Sequence, residues 1–117
     1  MTEVVIWHNP RCSKSRQTLE LLQKNGHEPT VVEYLKTPPR LEEITSVIEM
    51  LEISARELMR TGETVYKENN LSAETDDTKL VAAMHDNPIL IERPIVLANG
   101  QATIGRPPES VLEILEK

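Results

Sequence analysis

Apolar and polar positions alternate along this chain in short blocks that change period from element to element. Residues 3–7, Glu3-Val4-Val5-Ile6-Trp7, form an apolar run closed by the turn-prone Asn9-Pro10, which predicts a buried strand. Over 13–25 the spacing is helical, with Leu19, Leu21 and Leu22 inward and Gly26 placed as a C-terminal stop. Residues 30–35 predict a second strand, and strand–helix–strand at this spacing is a βαβ unit with parallel neighbours. Thr37-Pro38-Pro39 then breaks the chain.

The middle of the chain reads as helical. Ile44, Val47, Ile48 and Leu51 recur at i, i+3, i+4 and i+7, which predicts an amphipathic helix over 41–51. Ser54-Ala55-Arg56-Glu57 fits a capping box opening a short helix to about Arg60. A further helix is expected from about Asp76 to His85, with Leu80, Val81 and Met84 on one face, stopped before Pro88. The last third changes character again: 94–98 and 101–104 flank Asn99-Gly100, a strong hairpin signal. Pro107-Pro108-Glu109 opens a final helix that turns Val111, Leu112 and Leu115 to the core. The order βαβ, helical block, ββα predicts an α/β fold with a mixed sheet of about four strands.

Composition narrows the function. The 117 residues suit one ordinary domain with a core drawn from Ile, Leu and Val. No apolar run approaches the ~20 residues of a membrane span, and the first residues lack a signal-peptide pattern. One cysteine allows no internal disulfide, so a cytoplasmic protein is expected, monomeric by default. A formal net charge of −6, no Phe, one Trp and two Tyr argue against a nucleic-acid partner.

Against that acidity, His8-Asn9-Pro10-Arg11-Cys12-Ser13-Lys14-Ser15-Arg16 crowds cations around the single thiol. The predicted elements set Cys12 at a helix N-terminus, where N–H groups and the helix dipole favour an anion. Together with Arg11, Lys14 and Arg16, this is expected to lower the thiol below its usual ~8.5, so that the reactive thiolate is present near neutral pH. The same loop offers backbone N–H groups to an oxyanion. A lone cysteine is often just a small buried hydrophobe, but polar neighbours in a loop favour chemistry here. For His8, a packed strand-end residue and a partner of the thiol are balanced readings.

Spacing tests other chemistries. Cys12-Ser13-Lys14-Ser15 is C-x-x-S, not C-x-x-C, so an oxidised Cys12 needs an external thiol. A phosphatase-type loop would carry an arginine where Thr18 stands. His8, His27 and His85 are too scattered around Cys12 for a metal site, and no metal is expected. No nucleotide-binding glycine motif occurs.

HNPRCSKSRQTL, ELMR ending at Arg60, ERPIV with Arg93 and IGRPPE with Arg106 together resemble the ArsC family. These are glutathione- and glutaredoxin-coupled arsenate reductases, here in a short CSKS form. The resemblance runs over essentially the whole chain, including Thr37-Pro38-Pro39 and NPILIERPIV. It implies a single thioredoxin-like domain over 1–117, with a mixed four-stranded sheet and a helical insertion at about 40–87. It implies Cys12 as nucleophile, His8 as a stabiliser of its thiolate, and Arg60, Arg93 and Arg106 converging on the oxyanion with Ser15 and Arg16. Pro94 matches the fold's cis-proline, a structural residue of the site. The implied substrate is arsenate or a similar oxyanion, with glutathione as co-substrate, glutaredoxin as partner and no bound cofactor.

Many reductases of the family follow the cysteine with Gly-Thr-Ser-Arg-Asn; this chain has Ser13-Lys14-Ser15-Arg16-Gln17, less flexible and more charged. Two other classes share the fold. Spx-type regulators bind RNA polymerase and usually carry C-x-x-C; Ser15 and the arginine set weigh against that reading. A glutathione-dependent thiol oxidoreductase acting on another substrate is consistent with C-x-x-S.

Overall fold

In chain order, the computed structural model gives β1 (Val4–Trp7), α1 (Ser13–Lys24), β2 (Thr30–Val32), α2 (Leu41–Leu51), α3 (Thr64–Glu68), α4 (Asp77–Asp86), β3 (Ile95–Ala98), β4 (Gln101–Ile104) and α5 (Leu112–Leu115). Single 3-10 turns occupy Arg56–Leu58, Leu71–Ala73, Pro88–Leu90 and Pro108–Val111. The structure describes residues 4–92, 94–98, 100–105 and 108–115. They fall into two compact units, Met1–Thr37 with Arg93–Lys117, and Pro38–Glu92.

The first unit is built on a four-stranded mixed sheet of order β2-β1-β3-β4. β1 pairs parallel with β2 in the register Val5↔Thr30, Ile6↔Val31, Trp7↔Val32, as the βαβ reading requires. β3 runs antiparallel to β1, from Val4↔Ala98 to Trp7↔Ile95, and closes the hairpin with β4 through Ala98↔Gln101. Gly100 sits in that turn at φ 71, a conformation that suits glycine. One sheet face supplies Val4, Ile6, Val96 and Ala98 to a buried cluster with Leu22 of α1 and with Val111 and Ile114. Leu19, Leu21 and Leu112 pack against it. Leu115, expected inward, has its side chain outside the described residues.

α1 ends as its sequence predicts. Gly26 at φ 81 donates to the Gln23 carbonyl at 3.1 Å, and His27 donates to Leu22 at 3.0 Å. This pair of bonds closes the last turn and satisfies its carbonyls. The second strand is shorter than 30–35. Lys36 and Thr37 both donate to the Glu33 carbonyl, at 2.9 and 3.0 Å, so the chain turns and buries Tyr34 there instead.

In the second unit, α2 spans the predicted residues and buries Ile44 and Val47. The capping box is present: Ser54 N–H donates to Glu57 Oε1 at 3.0 Å and Glu57 N–H to Ser54 Oγ at 3.2 Å. It opens only a 3-10 turn, Arg56–Leu58, rather than a helix running to Arg60. α4 starts where expected, with Asp76 accepting the Thr78 N–H at 2.9 Å. α3 and the turn Leu71–Ala73 were not predicted, because their apolar residues are few and show no period. They are held by Arg56, whose guanidinium donates to Tyr66 Oη, to the Leu71 carbonyl at 3.0 Å and to the Glu74 carbonyl. Among the described residues no helix is long and apolar enough to cross a membrane.

Candidate active site

Cys12 is the N-cap residue of α1, extended at φ −94 and ψ 122. Asn9 and Cys12 close a tight turn, the Cys12 N–H donating to the Asn9 carbonyl at 3.0 Å. Pro10 sits second in this turn, where its fixed φ fits. The Asn9 side chain accepts the Arg11 N–H at 3.0 Å, a local bond that further fixes the loop. The Cys12 carbonyl then accepts the Arg16 N–H at 3.0 Å, the first bond of the helix. The thiol therefore belongs to the residue at the positive end of α1, beside first-turn N–H groups that have no acceptor within the helix. Cys12 is buried, at 8% exposure.

His8 follows β1, and its N–H donates to the Val32 carbonyl at 2.8 Å, holding it against the end of β2. Its imidazole is buried, and Nδ1 lies 2.6 Å from Ser15 Oγ. Ser15 is fully buried, and its Oγ also accepts the Asn9 N–H at 3.0 Å. Burial lowers the His8 pKa below 6.5; Glu33 opposes that shift and Arg16 adds to it. Near pH 7 the ring is therefore neutral. His8 Nδ1 and the Ser15 hydroxyl share one hydrogen bond, its direction set by the imidazole tautomer.

The Ser15 side chain, which the resemblance assigns to the oxyanion, is joined to His8 and to the Asn9 N–H, tying the end of β1 to the first turn of α1. The sequence signal was present in the C-x-x-S spacing, but it reads there only as a missing resolving cysteine.

Arg16 is exposed and folds back, Nη1 donating to the Pro10 carbonyl at 2.9 Å. One of its donors thus braces the Cys12 loop. Arg11 and Lys14 are exposed. Pro94 is buried just before β3, next to Ile95, which the strand register pairs with Trp7. Its carbonyl accepts the Gly105 N–H at 2.9 Å. Gly105 was missed by sequence reasoning although the packing depends on it. A Cβ there would lie 2.7 Å from Thr18 Oγ1 and 2.8 Å from Pro94 Cγ. The structure thus gathers Cys12, His8, Ser15, Arg16 and Pro94 at one end of the sheet.

Arg93 and Arg106 lie outside the described residues, and with Arg93 so does the geometry of the bond before Pro94. Arg60 belongs to the second unit. There Met59 and Ile91 form an antiparallel bridge, flanked by Arg60 N–H to Leu90 at 2.7 Å and Glu92 N–H to Leu58 at 2.8 Å. The Arg60 side chain is 26% exposed and ion-paired, Nη1 to Glu63 Oε2 at 3.2 Å and Nε to Glu92 Oε1 at 4.0 Å.

Comparison with known proteins places these features in a lineage. Residues 7–114 match the ArsC family. YfgD of Escherichia coli K12, a name that carries no activity, is 56% identical over 115 residues, covering 97% of each chain. A protein called arsenate reductase in Neisseria meningitidis serogroup A is 48% identical over 117 residues, covering 98% of this chain and 100% of its own. The solved structure of an arsenate reductase from Vibrio cholerae superposes with a TM-score of 0.93 at 52% identity, covering 97% of this chain and 98% of that one. The α/β fold is thioredoxin-like, as the sequence implied.

Proposed function

Because this chain belongs to the ArsC family, we propose that it is an arsenate reductase in which Cys12 is the nucleophile and glutathione, with glutaredoxin, supplies the reducing thiols. The observation that carries the reading is the position of Cys12 as N-cap of α1, in a loop braced by Asn9, Ser15 and Arg16. A helix N-terminus stabilises both a thiolate and a tetrahedral oxyanion, and the reaction needs both together. Relatives named arsenate reductase, similar over nearly their full length, support the same substrate.

The Cys12 thiolate attacks arsenic(V), forming a sulfur–arsenic bond as an arsenic–hydroxyl bond breaks. The hydroxyl takes up a proton and leaves as water. A glutathione thiolate then attacks the Cys12 sulfur. The sulfur–arsenic electron pair stays on arsenic, which departs as arsenite, while Cys12 and glutathione are joined in a disulfide. Two thiolates have given two electrons. Because Ser15 stands where a resolving cysteine would, that disulfide must be reduced by an external thiol, the role of glutaredoxin. A glutathione-rich, reducing cytoplasm suits this route. Arg60, Arg93 and Arg106 are assigned to the oxyanion on their motifs; guanidinium forks match a tetrahedral oxyanion's edges.

Arsenite production from arsenate, with glutathione and glutaredoxin present, tests the reading. Wild type is expected to turn over and Cys12→Ser to fall to background. Wild type without arsenate-dependent turnover would overturn it.

A further inference from the structure

The pairing of Arg60 has a functional consequence within the second unit. Arg60 is held by Glu63, three residues on in sequence, and by Glu92, which the Met59↔Ile91 bridge brings alongside. All three side chains are about one-quarter exposed, at 26%, 25% and 28%. At that depth the pairs are less screened than at an open surface. A carboxylate is also chemically the nearest side-chain mimic of an oxyanion: it offers two oxygens to the same guanidinium fork.

We infer that Glu63, assisted by Glu92, is an internal competitor for Arg60 that sets the threshold for anion binding. This rests on the reading of Arg60 as an oxyanion ligand. An incoming anion competes with Glu63 for the Nη1 end of the guanidinium, whose other N–H groups stay open to it. A doubly charged tetrahedral oxyanion such as arsenate recovers the lost pairing through charge and several acceptor oxygens. Chloride or a small monocarboxylate recovers much less and is rejected. The carboxylates also prevent Arg60 from standing as an uncompensated, largely buried cation when no substrate is bound. They are specificity-determining residues that act through Arg60.

The test is equilibrium binding of arsenate to the full-length chain by calorimetry, without glutathione. It compares wild type, Glu63→Gln, Glu92→Gln and Arg60→Gln, with melting curves to confirm folding. Glu63→Gln is expected to tighten arsenate binding about 1.5- to fivefold and Glu92→Gln by less, the range expected when a competing ion pair is removed. Both should lose discrimination against acetate. Arg60→Gln should weaken arsenate binding. If Arg60→Gln weakens binding while neither glutamate variant tightens it, the competitor role is overturned and the carboxylates only orient the guanidinium. If Arg60→Gln leaves binding unchanged, or no variant binds arsenate, the underlying assignment of Arg60 fails instead.

Discussion

Burial governs His8 more than the charges near it, and that sets what the residue contributes beside Cys12. Its pKa lies below the ordinary 6.5, mainly because a buried imidazolium is poorly solvated. For a group whose folded pKa is depressed, the unfolded chain binds the proton more readily. The stability from His8 is thus fully present above 6.5 and is lost as pH falls through the lower folded value. We expect the His8 ring resonances to titrate with a midpoint below 6.5. We also expect the urea midpoint to drop on acidification from about pH 7.5 to 5.5, with His8→Gln removing part of that drop. A His8 midpoint at or above 6.5 would contradict a folded-state pKa lowered by burial. Ser15 shows the same logic at a hydroxyl, since its two partners, His8 and Asn9, fix its use more firmly than sequence position does.

The Cys12 loop depends on how α1 sits against the β3–β4 hairpin. Thr18 on α1 donates its hydroxyl to the Lys14 carbonyl at 2.8 Å, and Gly105 comes against that same side chain and against the Pro94 ring. Gly105→Ala is expected to destabilise the fold by about 1–3 kcal/mol, the usual cost of overpacking. Because Thr18 lies one turn along the helix from Lys14, it should also slow thiol alkylation or catalysis beyond the stability loss. Unchanged melting in Gly105→Ala would show that α1 and Pro94 yield easily. Elements with strong periodic patterns were legible: α2 and α4 follow their apolar spacing, and the hairpin follows the turn signal between β3 and β4. The segment around α3 was not, because an arginine in hydrogen bonds with Tyr66, Leu71 and Glu74 holds it, and such bonds between distant residues leave no period. β2 forms as expected but ends early for a related reason, since Tyr34 and Leu35 have strand-like character but the Glu33 carbonyl draws the chain into a turn.

For the molecule as a whole, the sequence made the thiol and its loop legible because their chemistry is local: a single cysteine among cations between a strand and a helix. It did not reveal Glu92 beside Arg60, since Glu92 reaches it only through the folded bridge between Met59 and Ile91. Nor did it reveal Gly105, whose importance exists only in the packing. The central claim is that Cys12 is oxidised by an oxyanion substrate and relieved by an external thiol. Intact-mass spectrometry of the full-length chain, incubated with glutathione and with or without arsenate, tests it most directly. The account predicts one glutathione added to wild type only when arsenate is present, with matching release of arsenite, and none on Cys12→Ser. Glutathione addition that does not depend on arsenate, or its absence from wild type in arsenate, would contradict it.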